Sequence, residues 1–288
     1  MAREIGVNIH NKKSAYGRAR IGKIKGRRMT ELHRRAVSGR RYTMDLLDTV
    51  AIPRKTMVLF FIADTSGSMM GSKIGELNSA IEEVIPELRE LSESNADAQI
   101  KIAVLEFSSG ARWLTPKGPI EAENFVWNDM DASGVTDLGD ACLKLNEKLS
   151  AKAFMKEATG SFAPAIFLLS DGGPTDDYKK GLEALKENNW FKKAIKVAVA
   201  IGADADTSVL AEFTGNPEAV LTVHSPAMLR KMIKFISVRA SEIASRSSNA
   251  GSGDGGGDSK QDAFIDELNN FKVEAAESSE ADASEDIW

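Results

Sequence analysis

Asp64, Ser66 and Ser68 stand at alternate positions in the stretch FIADTSGSM, where an apolar run gives way to one carboxylate and two hydroxyls. In a loop leaving a strand, residues spaced i, i+2 and i+4 can turn their side chains toward one point, and Gly67 allows the tight turn this needs. One carboxylate with two hydroxyl oxygens is a hard donor set of low charge. It suits a small hard cation, above all Mg²⁺, with Mn²⁺ as its laboratory substitute. The cluster contains no His or Cys, which argues against zinc or copper. The same residue types also cap helices, because Ser and Asp oxygens satisfy the free amides of a first turn. On its own the motif leaves both readings open.

The elements that must position these residues follow from hydrophobic patterning. MVLFFIA (57–63) is a continuous apolar run, as expected of a strand covered on both faces. Ile74, Leu77, Ile81, Val84, Leu88 and Leu91 then recur at helical spacing. AQIKIAVLEF (98–107), APAIFLLS (163–170), IKVAVAIG (195–202) and AVLTV (219–223) read as further strands. Helical patterns lie between them around Leu138–Leu149, Tyr178–Leu185 and 207–213, and a closing helix is marked by Met228, Leu229, Met232, Ile233 and Ile236. Strands alternating with helices predict an α/β fold, a doubly wound, mostly parallel sheet with helices on both faces. In such sheets ligands bind beyond the carboxyl ends of strands. Asp64 and Asp171 each follow a strand directly, so two carboxylates distant in sequence are expected at one sheet edge.

DTSGSM (Asp64 to Met69) resembles the first motif of the metal-ion-dependent adhesion site of von Willebrand factor A domains. That site also needs a threonine in a Gly-containing loop and an aspartate after a buried strand. Here SGVTDLGDA carries Thr136 and FLLSDGGPTDD carries Asp171. The resemblance implies a von Willebrand A, Rossmann-like domain over 56–246, with Asp64, Ser66, Ser68, Thr136 and Asp171 around Mg²⁺ and Asp171 often acting through water. It further implies a protein partner that supplies an Asp or Glu to the metal. FLLSDGGPTDD and MIKFISVRASEIASRS are most similar to TerY-like members, associated with tellurite-resistance and stress gene clusters, whose companions are a Ser/Thr kinase and a PP2C-type phosphatase. Related domains also serve as accessory subunits of AAA+ ATPases. Two carboxylates and one divalent cation sum to about zero charge, which leaves room for a third carboxylate.

The ends of the chain differ from its middle. A basic N-terminal extension (1–55) carries 15 Lys/Arg against 4 Asp/Glu, and residues 247–288 carry 2 against 11. Opposite charge at the two ends suggests electrostatic contact with a partner or between the ends. The basic arm could hold nucleic acid, although only Tyr16 and Tyr42 are available there for base stacking. GRRMT and GRRYT place paired arginines just before Thr30 and Thr43, a pattern that suits a kinase with an acidic cleft. Residues 247–259 read as a flexible Gly/Ser/Asp linker. The acidic tail 260–288 carries Phe264, Leu268 and Phe271 at helical spacing, which fits either a short docking helix or an unstructured solubilising tail.

Enzymatic chemistry finds little support. His10, His33 and His224 lie far from the metal motifs, and Cys142 sits on the apolar side of a helix as an inert thiol would. Gly251, Gly253 and Gly256 match a dinucleotide fingerprint formally, but no strand precedes them. A single cysteine forms no intrachain disulfide, and no apolar run reaches membrane-spanning length. The expectation is therefore a cytoplasmic interaction module, not an enzyme and without membrane contact.

Overall fold

The computed structural model describes residues 54–156, 160–202, 205–223, 225–245 and 258–279. The basic extension up to residue 53, most of the expected linker, the last residues of the tail, all three histidines and Thr30 and Thr43 lie outside the described residues.

Five strands form the parallel core: β1 (Lys55–Asp64), β2 (Ala98–Ser108), β5 (Ala165–Ser170), β6 (Ile195–Ile201) and β7 (Val220–Val223). Two short antiparallel strands, β3 (Gly110–Trp113) and β4 (Ile120–Glu121), both pair with β2. The sheet order is β3-β2-β1-β5-β6-β7, with β4 on β2. From β1 the chain moves outward to β2, then returns to place β5 on the other side of β1. In open α/β sheets such a reversal marks the place where ligands bind, here the carboxyl ends of β1 and β5.

The helices are α1 (Ser72–Ser94), α2 (Leu138–Lys148), α3 (Tyr178–Lys186), α4 (Asn189–Lys193), α5 (Thr207–Thr214), α6 (Pro226–Ser245) and α7 (Asp258–Ser279). Successive side chains of β1 point to opposite faces. Met57, Leu59, Phe61 and Ala63 pack with α1 and α6, while Val58, Phe60 and Ile62 pack with α2, α3 and α5. All seven are at most 1% exposed. Burying each of the larger ones is worth about 1.5–3 kcal/mol, so this two-sided core holds β1, and hence Asp64, in a fixed place.

Three features differ from what patterning led us to expect. Strands β3 and β4 have only four and two residues, too short to show a period. Helix α4 has five, and its definition comes from Asn188, whose side chain accepts from the Trp190 and Phe191 amides. Helix α7 begins at Asp258, inside the segment that reads as linker, and it lies on its own domain: Phe264 and Leu268 are fully buried with α1 and α6 residues.

Candidate metal centre

Strands β1 and β5 are adjacent and parallel, with Ala63 opposite Leu169. Their next residues are therefore Asp64 and Ser170, and the Ser170 hydroxyl donates to Asp64 Oδ2 at 2.6 Å. The other Asp64 oxygen accepts the Ser66 amide at 2.8 Å. Both carboxylate oxygens are thus held, and the side chain is fully buried. The Ser66 and Ser68 hydroxyls lie 3.0 Å apart. Ser68 in turn donates to Asp171 Oδ1 at 3.0 Å. Four of the five expected residues are joined side by side in this way. Asp64 meets the first loop at the Ser66 amide, and the Ser66 and Ser68 hydroxyls lead on from there to Asp171.

The loop that carries Thr136 is tied to the first loop through its backbone. Gly67 N donates to Gly134 O at 3.1 Å and Ser133 N to Thr65 O at 2.8 Å, so the loop carrying Thr136 lies on the loop carrying the serines. A Cβ on Gly67 would stand 3.1 Å from that Gly134 oxygen, so a larger residue would wedge the two loops apart. The Thr136 amide donates to Thr175 Oγ1 at 3.0 Å, and Thr175 N donates to Thr136 O at 2.8 Å. Asn78 on α1 fixes the loop further down, donating to Met130 O and accepting from Met130 N. Asp137 accepts the Gly110 amide at 2.7 Å. Asp176 accepts from Gly139 N, so it ties the third loop to α2 and does not cap its own helix α3.

Burial pushes the Asp64 carboxyl above the ordinary carboxylate range. Hydrogen bonds from Ser170 and Ser66 draw it back, and the charge of Asp171 adds to the rise. Among the described residues, Lys73, the second residue of α1, lies on this cluster with its Nζ 3.2 Å from Asp171 Oδ2. Both side chains are largely buried, at 16% and 6% exposure. Asp64, Asp171 and Lys73 together carry a formal charge of −1, a concentration of negative charge and hydroxyl oxygens that fits a hard divalent ion. Among the described residues no group of three or more His, Cys, Asp and Glu is arranged to hold a metal. An ion here would draw on hydroxyl oxygens of these loops, among them those of Ser66, Ser68 and Thr136.

A model of the von Willebrand factor type A domain family matches residues 59–234, more than half of the chain. The chain belongs to this family. Its A domain resembles several solved structures at low identity. The pilus adhesin SpaC from Lactobacillus rhamnosus GG, in its open conformation, is 13% identical over 66% of this chain and 30% of that one, with a TM-score of 0.52. A von Willebrand factor type A protein from Catenulispora acidiphila is 16% identical over 65% of this chain and 43% of its own, with a TM-score of 0.47. Proximal thread matrix protein 1 from the mussel byssus, with a zinc-occupied MIDAS motif, is 16% identical over 65% and 48%, with a TM-score of 0.48. The chain thus spans less than half the length of each of them. No curated protein matches it. No described helix is long and apolar enough to cross a membrane.

Two residues of this A-domain site escape a reading by motif. Ser170 hides as the last letter of an apolar strand, FLLS, where a hydroxyl looks incidental. Lys73 looks like any solvated residue in a first helical turn. Its one signal is position, because a lysine so close behind the Asp-x-Ser-x-Ser turn starts its helix over the site.

Proposed function

We propose that this A domain is a metal-dependent protein-interaction module, holding Mg²⁺ at Asp64, Ser66, Ser68, Thr136 and Asp171 and receiving an Asp or Glu from a protein partner. One observation carries the reading: the chain of contacts from Ser170 through Asp64, Ser66 and Ser68 to Asp171, with the Thr136 loop bonded across it. When bound, a divalent ion supplies a Lewis-acid position open to a partner's carboxylate.

The chain's own residues prepare that position. Ser170 and the Ser66 amide orient the Asp64 carboxylate before any ligand arrives. Lys73 neutralises one of the two carboxylates. Asp64, Asp171, Lys73 and a divalent ion would then sum to +1, where the two aspartates and the ion alone would give zero. An incoming carboxylate meets a net positive site. Thr175 clamps Thr136 through two hydrogen bonds, so the neutral ligand of the second loop is presented without extra negative charge.

The TerY-like setting belongs to this proposal: a stress-response or phosphosignalling assembly in the cytoplasm, with a kinase and a PP2C-type phosphatase as companions. The reading is of an adhesive, not of an enzyme. Titration calorimetry with Mn²⁺ tests the metal site. The wild type should give a binding isotherm, and Asp64→Ala should give none while keeping its circular dichroism; equal heats from both proteins would sink the site.

A further inference from the structure

The rim of the candidate metal centre is built from small residues, with Gly67 and Ser68 in the first loop, Ser133 and Gly134 in the second and Gly173 in the third. Two large apolar side chains stand out from it. Met70 is 65% exposed and Val135 is 47% exposed. Single exposed hydrophobic residues are common and need no explanation. These two, however, flank the contact between Gly67 and Gly134, where the first two loops meet: Met70 donates its amide to Gly67 O at 3.2 Å, and Val135 follows Gly134 directly. Val135 also precedes Thr136. Of the other exposed large hydrophobics among the described residues, Ile120 and Leu143 lie in β4 and α2, and Val126 stands at the start of the second loop, ten residues before Thr136. The charge further out has the opposite character. Asp131 and Asp177 are exposed on the second and third loops. They would repel a ligand with several acidic residues.

We infer that Met70 and Val135 form an apolar rim that reads the residues beside the partner's carboxylate, so that the ligand is a single Asp or Glu flanked by apolar side chains and not an acidic run. This rests on the metal-dependent reading above. The small residues let the partner's backbone come close, the centre takes its carboxylate, and the two posts remove its neighbouring apolar side chains from water. Each post should contribute about tenfold in affinity, the scale expected for partial burial of a Met or Val side chain.

A display library of random short peptides, panned on the full chain in Mg²⁺ and eluted with EDTA, tests the inference. Recovered peptides should carry one Asp or Glu with Leu, Met, Phe or Val adjacent or next but one. The double variant Met70→Ser, Val135→Ser should bind Mn²⁺ with wild-type affinity by calorimetry and bind the same peptides about a hundredfold more weakly. Metal-dependent peptides with an acid but random flanks, or unchanged peptide affinity in the double variant, would overturn the rim while leaving the metal-carboxylate reading intact. Peptides that bind equally well in EDTA, or no Mg²⁺-dependent peptides at all, would overturn both.

Discussion

At the carboxyl ends of β1 and β5 the domain gathers carboxylates and hydroxyls beneath small, open loops. At the amino ends of β5, β6 and β7 it covers itself with its own C-terminal helix. Helix α7 places Phe264 and Leu268 in the core and stacks Phe271 on Phe235 of α6 at 4.0 Å. Gln261 accepts the Lys196 amide at 2.8 Å and donates to the Lys196 carbonyl at 3.0 Å. Pairing of β6 with β7 begins only at Ala198, so the Gln261 amide serves backbone groups that β7 is too short to reach. Lys272 closes the cover on the Glu218 carbonyl at 2.7 Å. One edge therefore satisfies its polar groups within the chain and excludes water. The other holds charge in a form that a ligand can complete. Stability should reside at the first edge and binding at the second.

The largest expected effect breaks the covered edge. Phe264→Ala should lower the unfolding free energy by about 3–5 kcal/mol, as for other buried aromatic truncations, with folded protein keeping its Mn²⁺ affinity. Urea titration and calorimetry on the same sample check both halves. A stability loss under about 1 kcal/mol would show that α7 is not part of the core. Asp64→Ala is the mirror experiment. Metal binding should vanish, while stability should move by no more than about 1 kcal/mol, because lost hydrogen bonds and a relieved buried charge offset one another.

Lys73→Met sharpens the open edge. Removing a buried like charge should strengthen Mn²⁺ binding about tenfold, the scale set by Coulomb repulsion at moderate effective dielectric. Weaker binding would mean that Lys73 serves chiefly to position Asp171. Thr136→Ala should keep part of the metal affinity and lose most partner capture, and EDTA should mimic it in the wild type. Identical partners pulled down from the native host by wild type, variant and EDTA-treated protein would place partner binding elsewhere on the chain.

The smallest effect is at Cys142, between the two edges. Burial, with the charge of Asp176 adding to it, pushes its thiol from 9.0 up to about 12. In the unfolded chain the thiol loses its proton first, so stability is unaffected below about pH 9 and falls as pH climbs from there toward 12. At mildly alkaline pH iodoacetamide should leave the native protein unlabelled and modify it fully in denaturant. Rapid native labelling would show that the helix α2 face opens.

Much of this contrast was legible in the letters. Apolar runs ending in Asp64 and Asp171 place both residues at one sheet edge by topology alone, and the structure joins them through Ser66 and Ser68. Lys73 and Ser170 were not legible, because their roles depend on which neighbour a side chain meets and periodicity carries no such information. The same limit applies at the other edge. Phe264, Leu268 and Phe271 announce an apolar helical stripe, but nothing in their spacing says that the surface they cover belongs to their own chain. Asp176 stands just before α3, where an aspartate could cap that helix, yet it bonds Gly139 on the preceding helix. A cap needs only the nearest free amide, and in three dimensions that amide came from elsewhere.

The ten-residue register of β1 against β2, from Lys55 opposite Ala98 to Asp64 opposite Phe107, has a mechanical consequence. The proposed bond between the metal centre and a partner would carry load. If a bound partner pulls at Asp64 while the chain is held by the segment preceding Arg54, the tension enters and leaves by the same strand. It then runs along the covalent backbone of β1 and leaves the ladders to β2 and β5 unloaded. If the chain is held instead through α6, the same pull shears the parallel pairs of β1, β5 and β6, which must give way together. In the first case the bond at the site should rupture before the fold yields, so the end by which the protein is tethered would decide which part acts as its mechanical fuse.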